Sequence, residues 1–370
     1  MPPGDGSTAL SPENLLIVDM DSHTGPFGTQ FLDYLDETDV AHRMLSKANH
    51  INSQILTKTR VSAPFPNDPA NADDLARSGS GSIEGKLRYM DEFAIDYSLL
   101  TPGSAAMATI NHDQTAVSLM YAGNDYVIDT WVDADPRLLP VAMVAHHRPD
   151  LAAEEIDRMA GHDVVAVQFP AAGLIPPAGH HRYDPIYAAA EDHGLTINMH
   201  SADEQMAMTF PIQFQWAETF TEAHAFSFPI ESMWHLISLT CRGVFERFPA
   251  LQFVFQEPGF EWLPWMMWRL DDHYFQCSDD LPMLTKRPSE YIREQCFFTT
   301  QPLGHTENTT AMASIMDIAG GAETIMYSSD HPHPDFDPPA EVLGHARVGL
   351  DDEAIRGIMG ETAASLYALK

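Results

Sequence analysis

Lysine is scarce in this chain. Only Lys47, Lys58, Lys86, Lys286 and Lys370 occur in 370 residues, and the formal net charge is -33. A surface this acidic repels polyanions, which argues against nucleic acid or an anionic membrane as a partner. Self-repulsion on this scale opposes a compact fold at low salt and is screened at high salt. Scarce lysine beside an ordinary hydrophobic fraction of 44% points to an acidic, halophilic protein of a high-salt cytoplasm. Cysteine is scarce too: Cys241, Cys277 and Cys296 are odd in number and widely spaced, against a disulfide framework or a zinc knuckle. No run approaches the ~20 apolar residues of a membrane helix. The opening "MPPGDGSTALSPEN" lacks the basic start and apolar core of a secretory signal. A soluble, cytoplasmic protein is therefore expected.

What is present is a rhythm. Residues 1–13 read as a flexible tail, and "LLIVDMD" (15–21) as a buried strand. A stretch with mixed signals, 24–94, reads as an insertion. From there apolar strands alternate with helices: "AIDYSLLTP", "LLPVAMVA", "DVVAVQFP", "LTINMHS", "LQFVFQE", "QCFFTT" and "ETIMYSSD" complete a set of eight strands. An irregular segment, 203–228, precedes a helix predicted over 230–249. Apolar strands alternating with helices imply a parallel sheet buried on both faces, and eight units imply a closed (β/α)8 barrel. No GxGxxG follows the first strand, which weakens the doubly wound alternative. The expectation is one α/β domain, 14–370: a distorted (β/α)8 TIM barrel with insertions after strands one and five.

Barrel chemistry gathers where strands end. The first strand ends in Asp21 and His23, the fifth in His200, the sixth in Glu257 and the eighth in Asp330. In a regular strand Asp19, Asp21 and His23 share one face. Imidazoles and carboxylates meeting at one mouth suit a divalent cation: zinc, manganese or iron. Each has a plainer reading alone, since Asp330 can cap a turn before Pro332 and Glu257 can cap the next helix. Asp19, deeper in the strand, reads as a hydrogen-bonding support. The pairs His146-His147 and His180-His181 read as solvated loops, and "WLPWMMW" (262–268) as core packing.

These residues resemble the amidohydrolase superfamily, in the amidohydrolase-2 branch typified by aminocarboxymuconate-semialdehyde decarboxylase. "VDMDSH" is similar to the branch's Asp-x-His-x-His opening, with Asp21 in place of the first His. "GVFERFPALQFVFQEPGFEWLPWMMWRLDDHY" (243–274) and "IMYSSDHPHPDFDPP" (325–339) resemble its most specific blocks. The resemblance implies a metal-dependent hydrolase acting on a small substrate, carboxylate-bearing or cyclic, through activated water. One divalent ion is implied, Zn2+ first with Mn2+ or Fe2+ as alternatives, held by Asp21, His23, His200 and Asp330. Asp330, Glu257 and His200 are the implied catalytic groups, and His224 and His333 would hold substrate. Asp21 makes the site harder than a His would, which loosens the zinc assignment. Glu257 stands where the branch's decarboxylases keep a His, so non-oxidative decarboxylation is the alternative. A non-catalytic, metal-stabilised barrel is the third reading. The branch leans to homo-oligomers, a dimer first.

The charge makes one prediction. The melting temperature should climb steeply between low and molar KCl, as screening relieves self-repulsion. A flat response in a thermal-shift series would contradict a high-salt origin.

Overall fold

Short runs rich in Val, Ile and Phe, each followed by a helix, favour parallel strands shielded by helices. The computed structural model describes residues 10–24, 29–45, 81–102, 112–171, 173–200, 218–304, 306–333 and 336–370. Among them lie β1 (Val18–His23), β2 (Tyr97–Thr101), β3 (Leu138–Leu139), β4 (Val141–Met143) and β5 (Ala166–Pro170). β6 (Thr196–His200), β7 (Phe253–Gln256), β8 (Cys296–Thr299) and β9 (Ile325–Met326) follow. Every pairing is parallel, in the orders β1-β2-β3 and β4-β5-β6-β7-β8-β9.

The third strand of the sequence reading is split into β3 and β4 at Pro140, which has no N–H to give a ladder. Its carbonyl still accepts a bond from the Val165 N–H at 3.0 Å. The last strand returns to the first. The Met20 N–H donates to Tyr327 O at 3.0 Å, Asp330 N–H to Asp21 O at 2.9 Å, and His23 N–H to His331 O at 2.8 Å. A parallel bridge also joins Ser22 and His331. Eight strands therefore close into a barrel, one of them split at Pro140.

Alternate strand residues divide between two apolar clusters, as a period of two requires. Val18, Met20, Leu99, Leu139, Val141, Ala166, Val254 and Met326 fill the inside. Ile17, Leu100, Val167, Ile197, Met199, Phe253, Phe298 and Ile325 belong to the larger cluster between strands and helices. Leu10 is buried in that larger cluster, so the chain meets the core before residue 14; the first nine residues of the expected tail lie outside the described ones.

Two expected elements differ. After the fifth strand, 201–217 lies outside the described residues, but the helix begins well before 230, spanning Phe220–Cys241. Thr219 and Glu222 form a reciprocal capping box that starts it. Pro229 sits inside, where it forfeits a backbone bond at a cost of about 3 kcal/mol. Buried Leu236 and Leu239 help to offset that cost through packing. Gly243, at φ 67°, ends this helix and a short one, Val244–Arg247, follows. The helix Leu263–Gln276 is the second case. Met266 and Met267 are buried, as core packing requires, whereas Trp265 and Trp268 face outward. The run is amphipathic rather than all core. No described helix is long and apolar enough to cross a membrane.

The C-terminal segment locks against β1. A Cβ on Gly360 would come within 2.3 Å of the Leu16 carbonyl, a contact no rotamer relieves. Gly360→Ala should therefore destabilise the fold by about 1–3 kcal/mol, read as a lower denaturation midpoint.

Candidate metal centre

β1 does not run as a regular strand. Its register against β2 slips between Asp19 and Ser22, so β1 carries one residue more than its partner there. Such a bulge reverses which face later residues point to. The three polar groups therefore do not share one face. Asp19 lies against the helix Ile83–Phe93, where its Oδ2 is 2.8 Å from the Tyr89 hydroxyl. It also accepts the N–H of Ser329 at 2.8 Å and that of Asp21 at 3.2 Å. Asp21 and His23 turn into the barrel mouth. Asp19 thus has the supporting place expected of it.

At the mouth, Asp21 Oδ2 lies 3.4 Å from His200 Nε2, and Asp21 Oδ1 lies 3.7 Å from His23 Nε2. Glu257 reaches both imidazoles, His23 at 3.6 Å and His200 at 3.5 Å. Asp330 Oδ1 is 3.0 Å from His23 Nε2 and 2.7 Å from His333 Nδ1. The rings of His23 and His333 are 4.1 Å apart. The groups fall into two overlapping sets, Asp21-His23-His200-Glu257 and His23-Glu257-Asp330-His333, each with ligand atoms within 4.8 Å of one another. Asp330 and Glu257 hold positive φ, 60° and 63°, a left-handed backbone that non-glycine residues rarely adopt. Strain of this kind, about 1–3 kcal/mol each, tends to collect at functional sites.

The donor set fits a divalent cation. Two imidazoles and two carboxylates are gathered in a buried place, and Asp21 Oδ2 and His23 Nε2, though close to other site groups, make no well-aligned hydrogen bond among the described residues. Buried polar atoms seldom go unpaired, and a cation satisfies both at once. The mixed nitrogen and oxygen donors suit manganese, iron or zinc.

Several partners were not foreseen. The Thr101 hydroxyl, at the end of β2, donates to Asp21 Oδ1 at 2.5 Å. Gln256 Nε2 donates to Met20 O at 2.7 Å, bracing the bulge from inside. Gln301 Nε2 donates to Asp330 Oδ2 at 3.1 Å. Thr101 and Gln301 obey the strand-end rule that found the others, and that rule applied to every polar strand-end residue reaches them. Of the expected substrate-holding histidines, His333 joins the cluster. His224 does not belong to either set; it lies on the helix Phe220–Cys241 with its ring against Phe228. His146 is also not solvated as expected. It is buried, its ring 4.0 Å from that of His147, and burial pushes its pKa well down.

The electrostatics separate the carboxyls. Burial, then the negative charge of Glu257, lifts Asp330 to about 7, against the pull of His333 and His23. Burial would lift Glu257 as well, but His200, His23 and His333 outweigh it and hold that carboxyl well below the usual range. One carboxyl is thus readily protonated near neutrality while its neighbour stays ionised.

A profile of the amidohydrolase family matches residues 19–369. The chain belongs to the amidohydrolase family. Its relatives lie in the amidohydrolase-2 branch. It is 25% identical over 301 residues to the gamma-resorcylate decarboxylase of Rhodococcus jostii, covering 77% of this chain and 87% of that protein. Among solved structures, a 5-carboxyvanillate decarboxylase from Sphingomonas paucimobilis superposes at TM-score 0.73 with 20% identity, covering 96% of this chain and 100% of that one. A dihydroxybenzoic acid decarboxylase from Polaromonas, with bound manganese and the inhibitor 2-nitroresorcinol, gives 0.68 at 17% identity, covering 96% and 97%. The two structures support the amidohydrolase barrel. All three of these relatives are named as decarboxylases.

His200 supplies a test of the metal reading. Burial alone would lower its pKa, but Glu257 and Asp21 outweigh burial and raise it to about 9. The metal-free protein gains stability from the protonated ring in full below the unfolded value of about 6.5, and loses it as pH rises through 9. A metal needs the ring neutral. Adding Mn2+ at pH 7 should therefore release protons, and binding should tighten toward pH 9. Calorimetry in buffers of different ionisation enthalpy measures this; uptake without proton release would contradict it.

Proposed function

We propose that this amidohydrolase is a metal-dependent, non-oxidative decarboxylase of a small aromatic acid carrying a hydroxyl beside its carboxylate. The observation that carries the reading is a buried cluster of imidazoles and carboxylates fit for a cation, with the buried carboxyl of Asp330 at its edge beside His23 and His333. The names of the relatives support the substrate class.

Asp21, His23 and His200 would hold the metal, with Glu257 completing the set and Asp330 at its edge. A divalent ion held there, Mn2+ before Zn2+ or Fe2+, would supply positive charge to a carboxylate-bearing substrate. Asp330 supplies the proton. It transfers from Asp330 to the ring carbon bearing the carboxylate, which interrupts aromaticity at that carbon. The bond to the carboxylate then breaks, its electron pair restores the ring, and CO2 leaves. Asp330, buried and paired with His333, is placed to hold and give this proton. His333 is hydrogen-bonded to Asp330 and half-exposed at the rim, where it can return a proton from solvent. Glu257 stays ionised throughout and keeps Asp330 from losing its proton early.

The test is direct. The protein loaded with Mn2+, and separately with Zn2+, is incubated with gamma-resorcylate and 5-carboxyvanillate. The expected result is CO2 release with deuterium at the vacated carbon in D2O. Asp330→Asn should keep the fold and lower turnover by about 100-fold or more. Full turnover in that variant, or hydrolysis of a lactone or ester with no CO2 from any hydroxylated aromatic acid, would overturn the reading.

A further inference from the structure

Lys86 is fully buried, in a chain with five lysines. It lies in the first turn of the helix Ile83–Phe93, which starts where the Ser82 hydroxyl accepts the Gly85 N–H. Its ammonium donates to Ser22 Oγ at 2.5 Å and to the His23 carbonyl at 2.6 Å. No carboxylate of the described residues lies at ion-pair distance from Nζ. Asp19 and Asp21 attract the charge from beyond ion-pair distance, but burial outweighs them, and an apolar side chain of the same length would pack there without that cost. Packing is therefore a poor account of this residue.

Its acceptors suggest a better one. Both belong to β1 immediately after the bulge, and His23 is one of the proposed metal ligands. Three residues along the same helix face, the Tyr89 hydroxyl lies 2.8 Å from Asp19 Oδ2 and 2.7 Å from Ser329 Oγ, immediately before the bulge. One helix face thus grips β1 on both sides of the register slip, while Gln256 holds Met20 O within the slip. A strand freed of that grip can relax toward regular alternation. A one-residue slip would turn Asp21 and His23 away from the mouth.

We infer that Lys86 is a positioning residue for the metal centre: its ammonium fastens the outer side of β1 so that Asp21 and His23 stay turned inward. The inference rests on the metal-centre reading and not on the reaction assigned to it.

The test uses the full chain, stripped of metal, with Mn2+ as the probe. Wild type, Lys86→Met and Ser22→Ala are compared by calorimetric affinity, the electron paramagnetic resonance of bound Mn2+, and the melting temperature of the metal-free form. Lys86→Met should weaken Mn2+ binding about tenfold or more and change the spectrum, the scale on which outer partners of metal ligands act. Its metal-free melting temperature should hold or rise, since a buried charge has been removed. Ser22→Ala, which keeps the carbonyl contact, should weaken binding less. Wild-type affinity in Lys86→Met, within about twofold, overturns the inference. So does a loss of affinity that only tracks a loss of metal-free stability. If Lys86→Met does not fold, unchanged affinity in Ser22→Ala overturns it. A wild type that binds Mn2+ yet releases no CO2 sinks the decarboxylase and leaves Lys86 standing; a wild type that binds no divalent cation sinks both.

Discussion

Asp21, Glu257 and Asp330 are buried together at the mouth of one barrel, and three carboxyls cannot all be ionised there without positive charge among them. Much of the site follows from that constraint. His23 and His200 stand between the carboxyls, and His333 closes the rim. One carboxyl, Glu257, takes the favourable contacts and stays ionised. Another, Asp330, takes the penalty and holds a proton near neutrality. A divalent cation adds the charge this arrangement still lacks and satisfies the atoms of Asp21 and His23 that hydrogen bonds leave aside.

The scaffold supports this concentration of charge at several points. Strained backbone at Glu257 and Asp330 bends their side chains inward where their strands leave the sheet. Thr101 and Gln301 each donate to one carboxylate, orienting it. The bulge in β1 is the most consequential, because it alone moves Asp21 and His23 onto the inner face. Lys86, Tyr89 and Gln256 hold it from two sides.

Much of the architecture was legible in the chain. The period-two apolar runs and the helices between them carried the barrel, because burial on both faces of a parallel sheet leaves a plain pattern. His200, Glu257 and Asp330 were legible for a related reason: polar groups directly after apolar runs have few places to sit except the mouth. The boundaries that failed had local causes. The helix expected from 230 begins at Phe220, because Pro229 is tolerated inside it. Pro140 divided a strand read as whole. In "WLPWMMW", apolar composition hid the fact that two tryptophans face out.

By itself, then, the sequence determined the alternation, the acidic surface and the kinds of ligand on offer, all of which are properties of residues near one another along the chain. It also determined, through resemblance, the branch to which those ligands belong. Only the tertiary structure decided which face each ligand takes. "IVDMDSH" in strict alternation places Asp19, Asp21 and His23 together; the folded strand separates the first from the other two. That separation depends on a register slip against β2 and on contacts from a helix more than 60 residues away in sequence. A one-residue slip leaves no mark on hydrophobic periodicity that short, so only packing against distant partners could set it.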